Sequence, residues 1–233
     1  MGSFRRSVAA LLAAAFGAGA FAASARGEES DKATYTVGYI EVLPGQEKPA
    51  RRLILDHVRV AKRAPGAVAI DAFVRDGYRN QFVLLEQWQS PKSRDDYGAT
   101  VPAQQFRIRL SKLESAGVDE RIQGPLFVES DHPVATPPIV VMTHIDIIPT
   151  ALEQGRSRIK QLVDGSRHHF DNVRFDLLVQ TNRQNHMTLI EGWKSQADKN
   201  AESAAAETVS FRHDLLPMSG SPYDERTYRP LRE

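Results

Sequence analysis

The sequence predicts an α+β fold in which two copies of one βαββαβ unit form a barrel within a single chain. Two observations lead to this prediction. The chain repeats itself at a constant offset, and both copies show the same order of strand-like and helix-like segments. In addition, both faces of the most regular strand carry apolar side chains, which indicates a sheet that is buried on both sides.

The repeat is clearest around two tryptophans. Residues 82–90 read FVLLEQWQS and residues 187–195 read MTLIEGWKS, so a Glu-x-Trp motif recurs 105 positions later. The same offset, without a gap, pairs Phe106, Arg107 and Asp119 with Phe211, Arg212 and Asp224. Two copies of this length are too few and too long for a solenoid, so they indicate a duplicated domain.

This duplication sets the predicted domain boundaries. The first domain covers residues 34–128 and the second covers residues 139–233. The segment 129–138 between them contains three prolines and is predicted to be a linker.

The first 25 residues predict a secretory signal peptide. Arg5 and Arg6 precede an apolar, alanine-rich run over residues 8–22, and Ala23-Ser24-Ala25 offers a small-x-small cleavage site. A membrane anchor needs about 20 apolar residues, more than this run provides. We therefore expect cleavage and a periplasmic or secreted protein. The arginine pair leaves twin-arginine export open beside the general secretory route.

Charge and composition exclude several classes of function. The full chain has 30 Lys and Arg, and loss of Arg5 and Arg6 leaves 28 against 29 Asp and Glu, a net charge of −1. No basic field therefore favours nucleic acid or a membrane as a partner. The absence of Cys excludes thiolate catalysis and Cys-ligated metals. Neighbouring His168 and His169 lack further ligands at the usual spacing, so no metal site is predicted.

Each unit begins with a strand and a helix. Residues 35–43 alternate apolar side chains and end at a Pro-Gly turn, as strands commonly do. A helix follows from Pro49, a residue that suits the first helical turn. Apolar residues then recur at helical spacing until a second Pro-Gly pair at positions 65–66.

The middle of the unit predicts a β-hairpin. Residues 67–74 are β-branched and apolar, Asp76-Gly77 marks a turn, and residues 81–88 form the next strand. One long helix over residues 92–113 and a closing strand over residues 121–128 complete the unit. In the second unit we predict strands at 139–148 and 226–231 and helices at 152–163 and 197–216.

The order of these elements is the ferredoxin-like arrangement, with helices on one face of an antiparallel sheet. In the strand 81–88, Phe82 and Leu84 share one face while Val83 and Leu85 share the other. Both faces are therefore expected to be buried. Packing the two sheets of the chain on each other covers the second face and gives an intrachain dimeric α/β barrel.

These segments carry a family resemblance. The strand residues LLEQWQS at 84–90, the helix with Phe106, their counterparts in the second unit and the ending SPYDERTY at 221–228 resemble the antibiotic biosynthesis monooxygenase domain. The last segment is similar to candidate quinol monooxygenases of that group. The resemblance covers both units. It implies a pocket between sheet and helices, and oxidation of quinols, phenols or anthrones by molecular oxygen without a bound cofactor.

The sequence departs from the family pattern at two places. Tyr97 and Glu202 stand where family members commonly have His, or Trp in haem-degrading relatives. Arg107 and Arg212 stand where haem-degrading members have a ligand His. The resemblance therefore does not favour haem degradation, and it implies that at most one unit is active.

Candidate site residues follow from the repeat and from the resemblance. The predicted catalytic residues are Glu86, Tyr97, Arg107, His144 and Arg212. The predicted substrate-binding residues are Trp88, Phe106, Trp193 and Phe211, whose rings would stack an aromatic substrate or pack in the core.

Each polar candidate has a chemical reason. Glu86 could deprotonate a phenol, or could form a structural ion pair with Arg121 on the closing strand. Arg107 and Arg212 could hold an anion. Tyr97 could present its hydroxyl, and His144 is a candidate base or a core residue.

The sequence leaves three functions open. The first is a cofactor-independent monooxygenase acting on a small aromatic molecule and oxygen. The second is a non-catalytic protein that binds a small ligand in the same barrel. The third is a structural assembly domain. Because a fused pair can satisfy the dimer requirement within one chain, both a monomer and a homodimer are compatible with the sequence.

Overall fold

The computed structural model describes residues 32–129, 136–167, 169 and 171–232. The predicted signal peptide, linker positions 130–135 and His168 lie outside these residues. Within the described ranges, no helix combines the length and apolar content needed to cross a membrane.

Both units have the predicted order of elements. The first contains β1 (Thr34–Glu41), α1 (Glu47–Ala61), β2 (Ala67–Arg75), β3 (Gln81–Trp88), α2 (Pro91–Gly98), α3 (Val101–Leu110) and β4 (Asp119–Phe127). The second contains β5 (Ile139–Asp146), α4 (Leu152–Ser166), β6 (Asn172–Gln180), β7 (His186–Trp193), α5 (Gln196–Ala204), α6 (Ala206–Leu215) and β8 (Asp224–Pro230).

The prediction of one long helix before each closing strand is wrong. In the first unit the helix ends at Gly98, and a new helix begins after Thr100, whose Oγ1 accepts a hydrogen bond from the Ala103 amide at 3.4 Å. Pro102 then occupies the first turn of α3, where a missing amide hydrogen costs no helical bond. In the second unit, Ala205 is extended (φ −61°, ψ 143°) and separates α5 from α6.

The eight strands form one closed antiparallel barrel in the order β1-β3-β2-β8-β5-β7-β6-β4. Two strand pairs join the units. β2 pairs with β8, with Phe73 opposite Pro230, and β4 pairs with β6, with Gln123 opposite Gln180. The predicted fold of two ferredoxin-like repeats in an intrachain dimeric α/β barrel is confirmed.

The core has three parts because the sheet is covered on both faces. Inside the barrel, apolar side chains of both units meet, among them Val83, Leu85 and Ile190. Outside it, each unit has its own cluster between helices and sheet, completed by Leu231 in the first unit and by Leu126 and Phe127 of β4 in the second. Phe82 and Leu84 lie in the outer core of the first unit, so β3 is apolar on both faces, as predicted.

A substitution at Ile190 tests whether the two units share one apolar interior inside the barrel. Ile190 is 1% exposed inside the barrel, so Ile190→Ala is expected to lower the free energy of unfolding by about 2–5 kcal/mol. Urea denaturation followed by tryptophan fluorescence measures the change. The matched control is Ile108→Ala, because Ile108 on α3 is 59% exposed and should change stability by less than about 0.5 kcal/mol. Equal effects of the two substitutions would contradict a common apolar interior.

Candidate active site in the first unit

A cavity of about 500 Å³ lies in the first unit between the outer face of the sheet and the helices. Its middle is apolar and is formed by β1, β3, α3 and the loop that follows α3. These apolar lining residues are Ile40, Leu84, Ala103, Phe106, Leu110 and Val118. A volume of this size suits a small organic molecule.

His57 is the candidate base at this cavity, and the sequence analysis does not identify it. It lies on the buried stripe of α1, one helical turn from Leu53 and Ala61. Its ring stacks on Phe106 with 3.8 Å between ring centroids and 16° between planes. Two signals could have identified it: a His within an apolar helical stripe, and a Leu at the corresponding position of the second unit, Leu162.

A chain of hydrogen bonds connects four side chains at one end of the cavity. Trp88 Nε1 donates to Glu86 Oε2 at 3.0 Å. His57 Nε2 lies 3.4 Å from Glu86 Oε1, and the Tyr97 hydroxyl lies 3.4 Å from His57 Nδ1. Because a carboxylate can only accept, the His57 proton belongs on Nε2, and Nδ1 accepts from Tyr97. The distances of 3.4 Å are long, as is common for catalytic hydrogen bonds before substrate binds.

Tyr97 is held in its protonated form by its surroundings. Its pKa is raised to about 12, mainly by burial and also by the negative charge of Glu86, while Arg107 opposes the shift. Its ring stacks on Trp88 with 5.2 Å between centroids. A protonated Tyr97 can donate to His57 and at the same time accept a hydrogen bond from a molecule in the cavity.

Charged residues surround the apolar part of the cavity. Arg107 is exposed and its Nη2 donates to the Gly98 carbonyl at 2.6 Å. Arg94 Nε donates to Asp95 Oδ1 at 2.9 Å. Both arginines line the cavity, as does the acidic Glu120. Arg94 is paired with Asp95, so Arg107 is the guanidinium group available to an anion in the cavity.

Four predicted site residues of the first unit meet at this cavity: Glu86, Tyr97, Phe106 and Arg107. Trp88 does not line it. It is fully buried and contributes through its bond to Glu86. The expected ion pair between Glu86 and Arg121 is wrong. Arg121 is opposite Val37, which points into the barrel, whereas Glu86 points toward the helices, and Arg121 binds Asp119 at 2.7 Å.

His144 lies on the other side of the sheet from this cavity. It shares a strand face with Val140 and Met142, which are in the barrel interior. His144 Nε2 lies 3.4 Å from His186 Nδ1. Burial lowers the pKa of His144 to about 4, and the neighbouring Arg121 and His186 charges contribute. A base in this position is separated from the cavity by the sheet.

The second unit keeps the Glu-Trp pair but differs around it. Trp193 Nε1 donates to Glu191 Oε2 at 3.1 Å. Lys199, Arg212 and Glu225 correspond to Arg94, Arg107 and Glu120, three of the charged residues that line the first cavity.

In the second unit these three residues bind one another. Lys199 Nζ donates to Glu225 at 2.9 Å and Arg212 Nη2 donates to it at 2.8 Å. Arg212 is thereby paired, and an anion would have to compete with Glu225. Phe211 and Trp193 are buried in the outer core of this unit.

Solved structures with the same architecture provide the comparison. A candidate monooxygenase from Fusobacterium nucleatum matches with a TM-score of 0.73 and 13% identity, over 86% of this chain and 93% of that one. A candidate monooxygenase from Lactobacillus acidophilus matches with a TM-score of 0.69 and 10% identity, over 86% and 95%. An anthrone oxidase-like protein matches with a TM-score of 0.66 and 10% identity, over 86% and 92%.

The chain shares the fold of these proteins. The match extends over both units, which confirms the fold implied by the family resemblance. No family model matches the sequence, and no curated protein matches it significantly.

Glu191 gives a prediction about pH. Its pKa is raised to about 8, mainly by burial and also by the negative charge of Glu225, while the bond from Trp193 opposes the shift. The folded protein therefore holds a proton on Glu191 that the unfolded chain loses above its ordinary pKa of 4.5. This contribution to stability is complete below that value and is lost as the pH rises toward 8, by at most about 1.4 kcal/mol per pH unit.

We expect Glu191→Gln to flatten this pH dependence and to raise stability relative to the unsubstituted protein most at the alkaline end of that range. The amide keeps the size of the side chain and cannot ionise. Urea denaturation across the range measures both effects. An unchanged slope in the variant would show that another group causes the pH dependence.

Proposed function

We propose that the first unit oxidises a small electron-rich aromatic compound of the quinol, phenol or anthrone class with molecular oxygen and without a bound cofactor. The observation that carries the proposal is the chain of Glu86, His57 and Tyr97 at one end of an apolar cavity. A base that is oriented by a carboxylate and placed beside apolar side chains suits proton abstraction from such a substrate.

The first step is transfer of a proton. The substrate hydroxyl donates to the Tyr97 oxygen, and the Tyr97 proton passes to His57 Nδ1. Glu86 stabilises the resulting imidazolium, because it already accepts from Nε2. The substrate is left as an electron-rich anion, and Arg107 at the edge of the cavity offsets its negative charge.

The second step uses oxygen as the oxidant. The substrate anion gives one electron to O₂, and the superoxide and substrate radical combine to form a carbon–oxygen bond. His57 returns its proton to the peroxide. The carbon that carries the peroxide then loses its hydrogen as a proton while the O–O bond breaks. One oxygen stays on the substrate as a carbonyl, and the other leaves as hydroxide, which takes up that proton to give water.

The structural neighbours support the class of reaction. Two are described as candidate monooxygenases and one as anthrone oxidase-like. Because these proteins are so low in sequence identity to this chain, the likeness is evidence for the fold alone. The argument for function therefore rests on the residues of this chain's own cavity.

His57 provides the decisive test. We expect His57→Leu, which introduces the residue found at Leu162 in the second unit, to lower kcat at least about 100-fold, because general base catalysis contributes that much. The measurement is oxygen uptake with quinols and anthrones, corrected for autoxidation. The control is His213→Ala, since the His213 side chain is 86% exposed on α6.

The outcomes separate catalysis from binding. Uptake that His57→Leu abolishes and His213→Ala leaves intact supports the proposed reaction. If the folded protein binds the quinols and takes up no oxygen with any of them, the proposed oxidation is wrong and a non-catalytic binding protein is the better description.

The two arginines at equivalent positions identify the active unit. We expect Arg107→Ala to lower kcat/KM about tenfold or more, because it removes a charge at the edge of the cavity. Arg212→Ala removes a side chain that is already paired with Glu225, so its effect should be smaller. Oxygen uptake by the two single variants measures the difference. A larger loss with Arg212→Ala would place the reaction in the second unit.

A further inference from the structure

A second cavity, of about 410 Å³, opens in the second unit between α4 and the α5–α6 pair. Leu162 and Phe211 provide its apolar floor, and the small residues Gly165, Ala205 and Ala206 leave room at its opening. The cavity also reaches a carboxylate, that of Glu202, which is only 3% exposed.

Glu202 is a buried acid that lacks a cationic partner in the part of the chain that the structure describes. Its Oε1 accepts from Ser166 Oγ at 2.5 Å and from Thr208 Oγ1 at 2.9 Å. Its Oε2 is buried and has no hydrogen-bond partner among the described residues. Burying a carboxylate in this way is costly unless a positive charge or a further donor reaches it.

Comparison with the equivalent positions of the first unit shows that Glu202 and its two hydrogen-bond donors occur together in the second unit alone. Glu202 corresponds to Tyr97, and its two hydroxyl donors Ser166 and Thr208 correspond to Ala61 and Ala103. The second unit therefore differs at all three positions together. The shorter side chain of Glu202 leaves space where the first unit has the aromatic ring of Tyr97.

We propose that this second cavity is a separate binding site for a small organic amine, whose ammonium group pairs with Glu202. A cation would supply the positive charge and the donor that Oε2 lacks. Leu162 and Phe211 would contact the apolar part of the ligand. The inference does not depend on the proposed oxidation, since it concerns the other unit and other residues.

The remaining charges at the cavity are compatible with an amine. Glu207 lines its opening and adds negative charge. Arg158 also lines it, but Arg158 Nη2 donates to Asp214 at 2.6 Å, which offsets its charge. Lys199 and Arg212 both bind Glu225 instead of Glu202.

The test is isothermal titration of the full chain with 2-phenylethylamine, beside 2-phenylethanol as its neutral analogue and phenylacetate as its anionic analogue. We expect the amine to bind and both analogues to bind at least about tenfold more weakly. Glu202→Gln should weaken binding of the amine about tenfold or more, because it removes a charge-assisted hydrogen bond. Equal binding of amine and alcohol, or no binding of the amine, would overturn the proposal.

Two further variants locate the site. Glu207→Gln removes the other carboxylate at the cavity. Because Glu207 is exposed, this change should weaken binding of the amine less than about fivefold. Ala206→Leu keeps Glu202 and narrows the opening, so it should weaken binding of the amine. This variant tests the site even if Glu202→Gln fails to fold. Binding that survives both Ala206→Leu and Glu202→Tyr would show that the amine binds elsewhere.

Discussion

Closure of the barrel depends on the two strand pairs that join the units, β2 with β8 and β4 with β6. Without these pairs each four-stranded sheet would expose two edges and one apolar face. Once the barrel is closed, its interior is filled by side chains of both units. The first cavity lies outside the barrel, between the sheet and the helices of its unit, and the second lies between helices of the other unit.

The duplicated scaffold explains how two different candidate sites can coexist in one chain. The Glu-Trp hydrogen bond is present in both units, at 3.0 Å in one and 3.1 Å in the other. It fixes a carboxylate at the same place under each pair of helices. Helix residues then decide the chemistry. His57 and Tyr97 extend the carboxylate into a chain of hydrogen bonds in the first unit, while Leu162 and Glu202 interrupt that chain in the second.

Part of the candidate site could be read from the sequence, because it is carried by repeated strand residues. Glu86 was found through the repeat, and Tyr97 and Arg107 were found through a family resemblance. His57 was missed, since it is 29 residues from Glu86 and 40 from Tyr97. Only the packing of α1 and α2 beside β3 brings these side chains together. The expected pairing of Glu86 with Arg121 was wrong because the two side chains lie on opposite faces of the sheet. Opposite charges cannot form an ion pair across it.

The sequence alone determined the duplication, the order of strands and helices, and the burial of both sheet faces. These features follow from local periodicity and from a constant offset, which need no knowledge of tertiary contacts. The tertiary structure decided that the sheets join edge to edge, that the predicted long helices break at Thr100 and Ala205, and which polar residues meet. Such contacts join residues that are distant in the chain, and their formation depends on packing geometry that no local pattern encodes.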